Sequence, residues 1–290
     1  MGGTALFTVV DGSEAMIDRA IALVVECEAR WSRFLPDSDI SRLNWAGGSG
    51  TTVDPLTVTL LEAMRDGVEL TSGDFDPLLL PDVLSIGYVA SAVNPGMATQ
   101  LPPTAISAGD VSAIGIDENS VTLPAGMSLD PGGVGKGLAA DLACALMIAD
   151  GASGALVEIS GDLVVAGRAP DGAAWRLGIE DPFDPRQHCQ IVRLTRGALV
   201  TSSQRKRRFD TASGVRHHLI DPRTHDSAVT DVQTVSVIAA TGAKAETLTK
   251  SGFLRDPEVF LAWLPTVGAA GLLIDSSGAA RESPNWGRYA

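Results

Sequence analysis

Between Gly154 and Ala239 the chain offers one short strand after another, with no helical period between them. The runs are GALVEIS (154–160), LVVAGRA (163–169), WRLGIED (175–181), QIVRLT (190–195), ALVTSS (198–203), KRRFDT (206–211), VRHHLID (215–221) and VQTVSVIA (232–239). Gly161-Asp162 reads as a hairpin turn between the first two. Helical patterns bracket this block at 134–149, which Gly151 suits as a stop, and at 242–254. Strands and helices are grouped rather than alternating, which predicts α+β architecture with antiparallel sheets and excludes a doubly wound fold.

The N-terminal half carries two amphipathic helices. Over 13–33 apolar residues recur at i, i+3 and i+4 through Ala15, Ile17, Ala20, Ile21, Val24 and Val25, and a second helix spans 55–71, ended by TSGDFDP. PDSDISRLN (36–44) reads as a polar loop with a cap-like Ser38. The segment 90–128, rich in Pro, Gly, Ser and Ala, is the candidate for a subdomain boundary. The 290 residues, 45% hydrophobic, suffice for a large core in one large domain or two small ones.

A net charge of −13 argues against a nucleic-acid partner, because phosphate backbones need a basic face. No apolar run reaches the ~18 residues that span a bilayer. MGGTALFTVVDGSE lacks the basic and apolar regions of an export signal, so the chain as given is expected to be cytoplasmic, with export of a longer precursor not excluded. Cys27, Cys144 and Cys189 lie far apart and read as core filling rather than a zinc or disulfide framework.

Several stretches can carry chemistry. LDPGGVGKGLAA (129–140) runs an aspartate, glycines and Lys136 into a helix, where free N–H groups and the dipole favour an anion. It fits neither GxxxxGK[ST] nor GxGxxG, so a tight turn with Lys136 in solvent is the plain alternative. RHHLIDPRT (216–224) puts His217 and His218 on opposite faces of a strand, so that one can face a cleft as a base. Either histidine can equally be structural. Glu246 and Lys250 are i, i+4 on the late helix, the spacing of an ordinary surface pair. GDFDP (73–77) reads as a helix-stopping turn, and RKRRF (205–209) as a solvated strand.

Taken in order, eight stretches resemble the FAD:protein FMN transferase (ApbE) family: WSRFLPDSDISRLN (31–44), TSGDFDP (71–77), LDPGGVGKGLAAD (129–141), ALVEISGDLVVAG (155–167), WRLGIEDP (175–182), ALVTSSQ (198–204), HHLIDPRT (217–224) and VSVIAATGAKAETLTKSGFL (235–254). The resemblance covers nearly the whole chain, and 83–128 matches least. It implies a single ApbE-like domain over 1–290, with flavin held between two subdomains. It implies cleavage of the FAD pyrophosphate, transfer of FMN to a Thr or Ser hydroxyl of an acceptor flavoprotein, and release of AMP. Other readings are an FAD pyrophosphatase yielding FMN and AMP, and a non-catalytic FAD-binding or storage protein.

Residue by residue, the resemblance assigns the base to His218. It assigns FAD contacts to Phe34, Asp74, Phe75, Asp76, Asp130, Gly133, Lys136 and Leu219. Met1 falls near a family Met-Gly-Thr motif, which here has an extra glycine. A divalent metal, magnesium, is implied on a glycine-loop carbonyl at Gly135 and on two positions of the late helix. Those positions hold Glu246 and Lys250 here, where the family has Asp and Thr, and Pro131 stands where the family usually has Leu.

Overall fold

The computed structural model describes residues 3–211 and 214–290; Met1 lies outside them. Every strand pairing among these residues is antiparallel, as the grouped strands require. The chain divides into two compact units. The first contains Val25–Gly135 and Lys206–Ala228, and the second contains Gly3–Val24, Lys136–Arg205 and Val229–Ala290. Residues 90–128 lie wholly inside the first. Among the described residues no helix is long and apolar enough to cross a membrane.

The second unit is built on a seven-stranded sheet in the order Ala5–Val10, Gly154–Ile159, Asp162–Gly167, Gly197–Ser203, Val232–Ala239, Ala270–Asp275, Ala280–Glu282. Every residue of Val232–Ala239 is buried, because both sheet faces are covered. On one face Leu156, Val165, Leu199, Ile238, Leu272 and Ile274 pack against Trp175, Leu177, Ile179, Val192 and Leu194 of a separate hairpin, Trp175–Glu180 with His188–Leu194. On the other face Val235 lies against Gly252 of the late helix. The turn between Gly154–Ile159 and Asp162–Gly167 is Ser160-Gly161, at φ 55° and 91°. Two residues at positive φ match the twist of the flanking strands. Asp162 is therefore the first residue of a strand, and not half of the turn.

Among the described residues seven α-helices are numbered in chain order: α1 (Glu14–Trp31), α2 (Asp39–Trp45), α3 (Pro55–Thr71), α4 (Leu80–Ser85), α5 (Gly135–Ala149), α6 (Gly242–Leu254) and α7 (Pro257–Trp263). The polar stretch expected as a loop at 36–44 is largely α2. Ser38 does cap it, accepting from the Ser41 N–H at 3.0 Å. The composition misled because α2 buries polar residues, Asp39 and Asn44, that have partners. Asp39 accepts from Asp54 N–H and Thr57 Oγ1, both at 2.8 Å. Asn44 exchanges hydrogen bonds with the backbone of Leu129, at 2.7 and 3.1 Å, and so fixes the approach to the glycine loop. α7 was not anticipated; Asp256 caps it and Pro257 opens it.

Helices α5 and α6 cap each other. Asp141 of α5 accepts from the Gly242 and Ala243 N–H groups at 2.7 and 2.9 Å, and Glu246 of α6 accepts from the Gly137 N–H at 2.9 Å. The helix starts meet backbone to backbone at Gly137 and Gly242. A Cβ on Gly137 would stand 2.3 Å from the Gly242 carbonyl and 2.8 Å from Ala243 N. In an open helix, Gly→Ala gains up to about 1 kcal/mol. Here the sign should reverse: Gly137→Ala is expected to lose about 1–3 kcal/mol, the cost of overpacking. A urea midpoint that falls at unchanged slope would show it, and an unchanged or raised midpoint would refute the close approach.

Candidate active site

In the second unit, Lys136 on the first turn of α5 lies between two buried carboxylates. Its Nζ donates to Asp162 and, at 2.6 Å, to Glu246 Oε1. The carboxylate side chains are 2% and 1% exposed. Burial disfavours the Lys136 ammonium, but attraction and hydrogen bonds from Asp162 and Glu246 outweigh it and hold the pKa above its ordinary value. Burial likewise raises Asp162, against the pull of Lys136. Asp141, half-buried, is pushed up by desolvation to about 6 despite its two backbone donors. Lys136 is thus not a solvated loop lysine, and Glu246 is not half of a surface i, i+4 pair. The Lys250 Nζ donates to Ser202 Oγ at 3.1 Å and to the Glu246 carbonyl and Thr249 Oγ1, each at 3.2 Å.

In the first unit, an aromatic cluster gathers around Tyr88. Phe34 is tilted to it at 6.0 Å, Phe209 stacks at 5.4 Å, and the His218 ring stands edge-on at 6.5 Å. Two guanidinium groups flank the rings. Arg33 lies 4.3 Å from the Phe34 centroid and 4.7 Å from Tyr88, and Arg207 lies 5.2 Å from Tyr88. Arg33 is 5% exposed and held by Thr99 Oγ1 at 2.6 Å and the Tyr88 carbonyl at 3.0 Å. Its Nε reaches Asp130 Oδ1 at 3.6 Å.

Two motifs far apart in sequence meet beside this cluster. The Asp130 N–H donates to the Pro77 carbonyl at 2.8 Å, joining LDPGG to GDFDP. Asp130 Oδ1 accepts from the Gly132 N–H at 2.9 Å across a short turn, Pro131–Gly133. The Gly132 amide, expected to stand open to an anion, is therefore taken by Asp130, as the Gly137 amide is by Glu246. Asp76 Oδ1 accepts from Leu78 N–H at 2.8 Å, and burial raises its pKa above the ordinary carboxylate range. Phe75 is buried, its N–H donating to Thr71 Oγ1 at 3.1 Å. Ser72 and Gly73, at φ 55° and 88°, stop α3 as GDFDP suggested.

The paired histidines separate, but not by strand alternation. The strand Gly214–His217 ends at His217. Beyond it the Ser227 hydroxyl takes over, accepting from the His217 N–H at 2.9 Å and donating to its carbonyl at 2.6 Å. His217 is buried, with Nε2 3.1 Å from the Ala228 carbonyl. Burial lowers its pKa, favouring the neutral ring. His218 and Leu219 fall in the bend that follows, which leaves His218 as the ring against Tyr88.

The residues assigned to a divalent ion do not fit one. Both Glu246 oxygens already accept from Lys136 and Gly137. Lys250 carries donors and no lone pair. Gly135 offers only a carbonyl. Among the described residues no three His, Cys, Asp or Glu side chains group as a metal site. Sequence reasoning missed Arg33, Tyr88, Asp162 and Ser202. Arg33 stands inside WSRF beside Phe34, which was singled out, and Asp162 inside ISGD, where it read as a turn residue. Tyr88 lies in the stretch that resembled the family least.

The model of the ApbE family matches residues 1–272. A Treponema pallidum protein named FAD:protein FMN transferase is 30% identical over 257 residues, covering 83% of this chain and 71% of that protein. A Rhodobacter capsulatus protein of the same name is 31% identical over 224 residues, 74% of this chain and 42% of its own length. The crystal structure of a Thermotoga maritima ApbE protein superposes with a TM-score of 0.83 at 23% identity, covering 99% of this chain and 98% of that one. That of the Pseudomonas stutzeri flavinyl transferase ApbE, apo form, gives 0.82 at 24%, covering 99% and 93%. The folds agree over both chains, and the sequence match extends across both units: the chain belongs to the ApbE family.

Proposed function

We propose that the chain is an FAD:protein FMN transferase. The observation that carries this reading is the joining of GDFDP, LDPGG and the Arg33–Phe34–Tyr88–His218 cluster in one unit of an ApbE-family chain. Flat aromatic rings with guanidinium groups against their faces suit a planar heteroaromatic substrate, and FAD is one. Phe34, Asp74, Phe75, Asp76, Asp130, Gly133 and Leu219, all in that unit, are its contacts in this proposal. Phe75, being buried, would act mainly by shaping the turn that sets Asp74 and Asp76.

The reaction moves one phosphoryl group. The acceptor Thr or Ser oxygen attacks the phosphorus on the FMN side of the pyrophosphate. The bond from that phosphorus to the bridging oxygen breaks, and its electron pair leaves with AMP. The hydroxyl proton passes to His218. Such transfers depend on positioning and charge stabilisation more than on covalent help from the protein. Arg33 acts by fixing Asp130 and packing the rings.

Incubation with FAD and a Thr-containing acceptor flavoprotein should release AMP and add one FMN to the acceptor, read by mass spectrometry. Free FMN with an unmodified acceptor would make the chain a pyrophosphatase instead. FAD binding without AMP would leave a storage protein.

A further inference from the structure

Three oxygens converge on the Lys250 ammonium: Ser202 Oγ at 3.1 Å, and the Glu246 carbonyl and Thr249 Oγ1, each at 3.2 Å. They come from two elements, the strand Gly197–Ser203 and α6. The same oxygens are linked to one another, Ser202 Oγ to Thr249 Oγ1 at 2.7 Å and Thr249 Oγ1 to the Glu246 carbonyl at 2.7 Å. A carbonyl and two hydroxyls are the hard oxygen ligands a metal cation takes. Here they receive a cation carried by the chain. Distances near 3.1 Å suit N–H···O bonds and are about 1 Å longer than magnesium–oxygen bonds. An ammonium has three N–H donors, which three acceptors can satisfy.

The surroundings fit a cation that stays in place. Lys136 joins the Glu246 carboxylate on the same turn of α6. Lys250 also stabilises the charged form of Asp162. Lys136 and Lys250 thus both engage Glu246, the first at its carboxylate and the second at its carbonyl.

We propose that Lys250 is a tethered cation that fills this oxygen cage in place of a divalent ion, so that FAD binding needs no added metal. The FAD part rests on the transferase reading; the filling of the oxygen cage by the lysine does not. It follows that removing the ammonium while keeping an oxygen opens the cage. Lys250→Thr should accept a divalent ion, and Lys250→Met, which removes the charge and adds no oxygen, should not.

Two measurements on the full chain separate the parts. The first is manganese binding by electron paramagnetic resonance, with and without FAD. The unmodified chain and Lys250→Met should bind no stoichiometric manganese, and Lys250→Thr should bind one. The second is FAD titration by flavin fluorescence in chelator and in millimolar magnesium. The unmodified chain should change affinity by less than about threefold, whereas Lys250→Thr should gain about tenfold or more on adding magnesium. Lys250→Met, which opens no metal site, should bind FAD alike in both conditions.

One manganese bound by the unmodified chain would overturn the proposal, as would a Lys250→Thr chain that binds none. So would loss of FAD affinity on chelation in the unmodified chain. Failure of the unmodified chain to bind FAD under either condition would instead overturn the transferase reading, while the manganese signal still decides the cage.

Discussion

Replacing His218 by alanine is expected to slow FMN transfer by about 10²–10⁴-fold, the usual worth of a positioned base, while FAD affinity changes little. The contrast with its neighbour makes the test specific. His217 is buried, its pKa lowered by burial, and bonded through Nε2 to the Ala228 carbonyl. His217→Ala removes that bond and leaves the carbonyl with its desolvation unpaid, so it should cost about 1–3 kcal/mol of stability. At a temperature where His217→Ala remains folded, its transfer rate should stay near that of the parent. Rates of AMP release and urea midpoints for both variants measure this. Equal loss of rate in the two would remove the base from His218, and so would a His218→Ala chain that transfers at the parental rate.

Much of this fold is legible in the chain because local patterns dictate it. The apolar stripe of α1, the span 55–71 of α3, the run Val232–Ala239 and the helix at 242–254 all stand where the residue patterns put them. Short elements are harder. α2 spans seven residues and buries Asp39 and Asn44, whose partners Asp54 and Leu129 lie 15 and 85 residues away. Nothing local marks those polar residues as interior. The site follows the same rule. Family resemblance pointed to Lys136 and Glu246, but their bond to each other spans 110 residues, and Asp162 joins them from 26 residues away. Asp162 read as a turn residue because Gly-Asp is a common turn pair, whereas the turn is Ser160-Gly161 one step earlier. Strand alternation placed His217 and His218 on opposite faces for a reason the structure does not share. What separates them is the end of the strand at His217 and the side-chain bonds of Ser227.

The Lys136 cluster carries the largest expected loss of stability. Lys136→Met keeps most of the side-chain volume but leaves Asp162 and Glu246 as buried carboxylates without that cation. Breaking a buried ion pair from one side costs about 3–5 kcal/mol, because the remaining charge is uncompensated. The loss should depend on pH, and its sign follows from linkage. Asp162 is raised above its unfolded value of 3.8 even with the lysine beside it, and removing the lysine raises it further. A carboxyl raised in the folded state contributes stability that is fully present below its unfolded value and is lost as pH rises through the folded one. The deficit of Lys136→Met against the parent should therefore shrink as pH falls from about 7 to about 5. Adding Asp162→Asn should recover part of it, since the two residues share one interaction and their effects are not additive. Glu246 would then keep the Gly137 amide as its donor. Urea midpoints of the parent, single and double variants across that pH range test the account. A deficit that does not change with pH would mean the lysine acts by packing, and a double variant no more stable than Lys136→Met would mean that Asp162 does not share its charge.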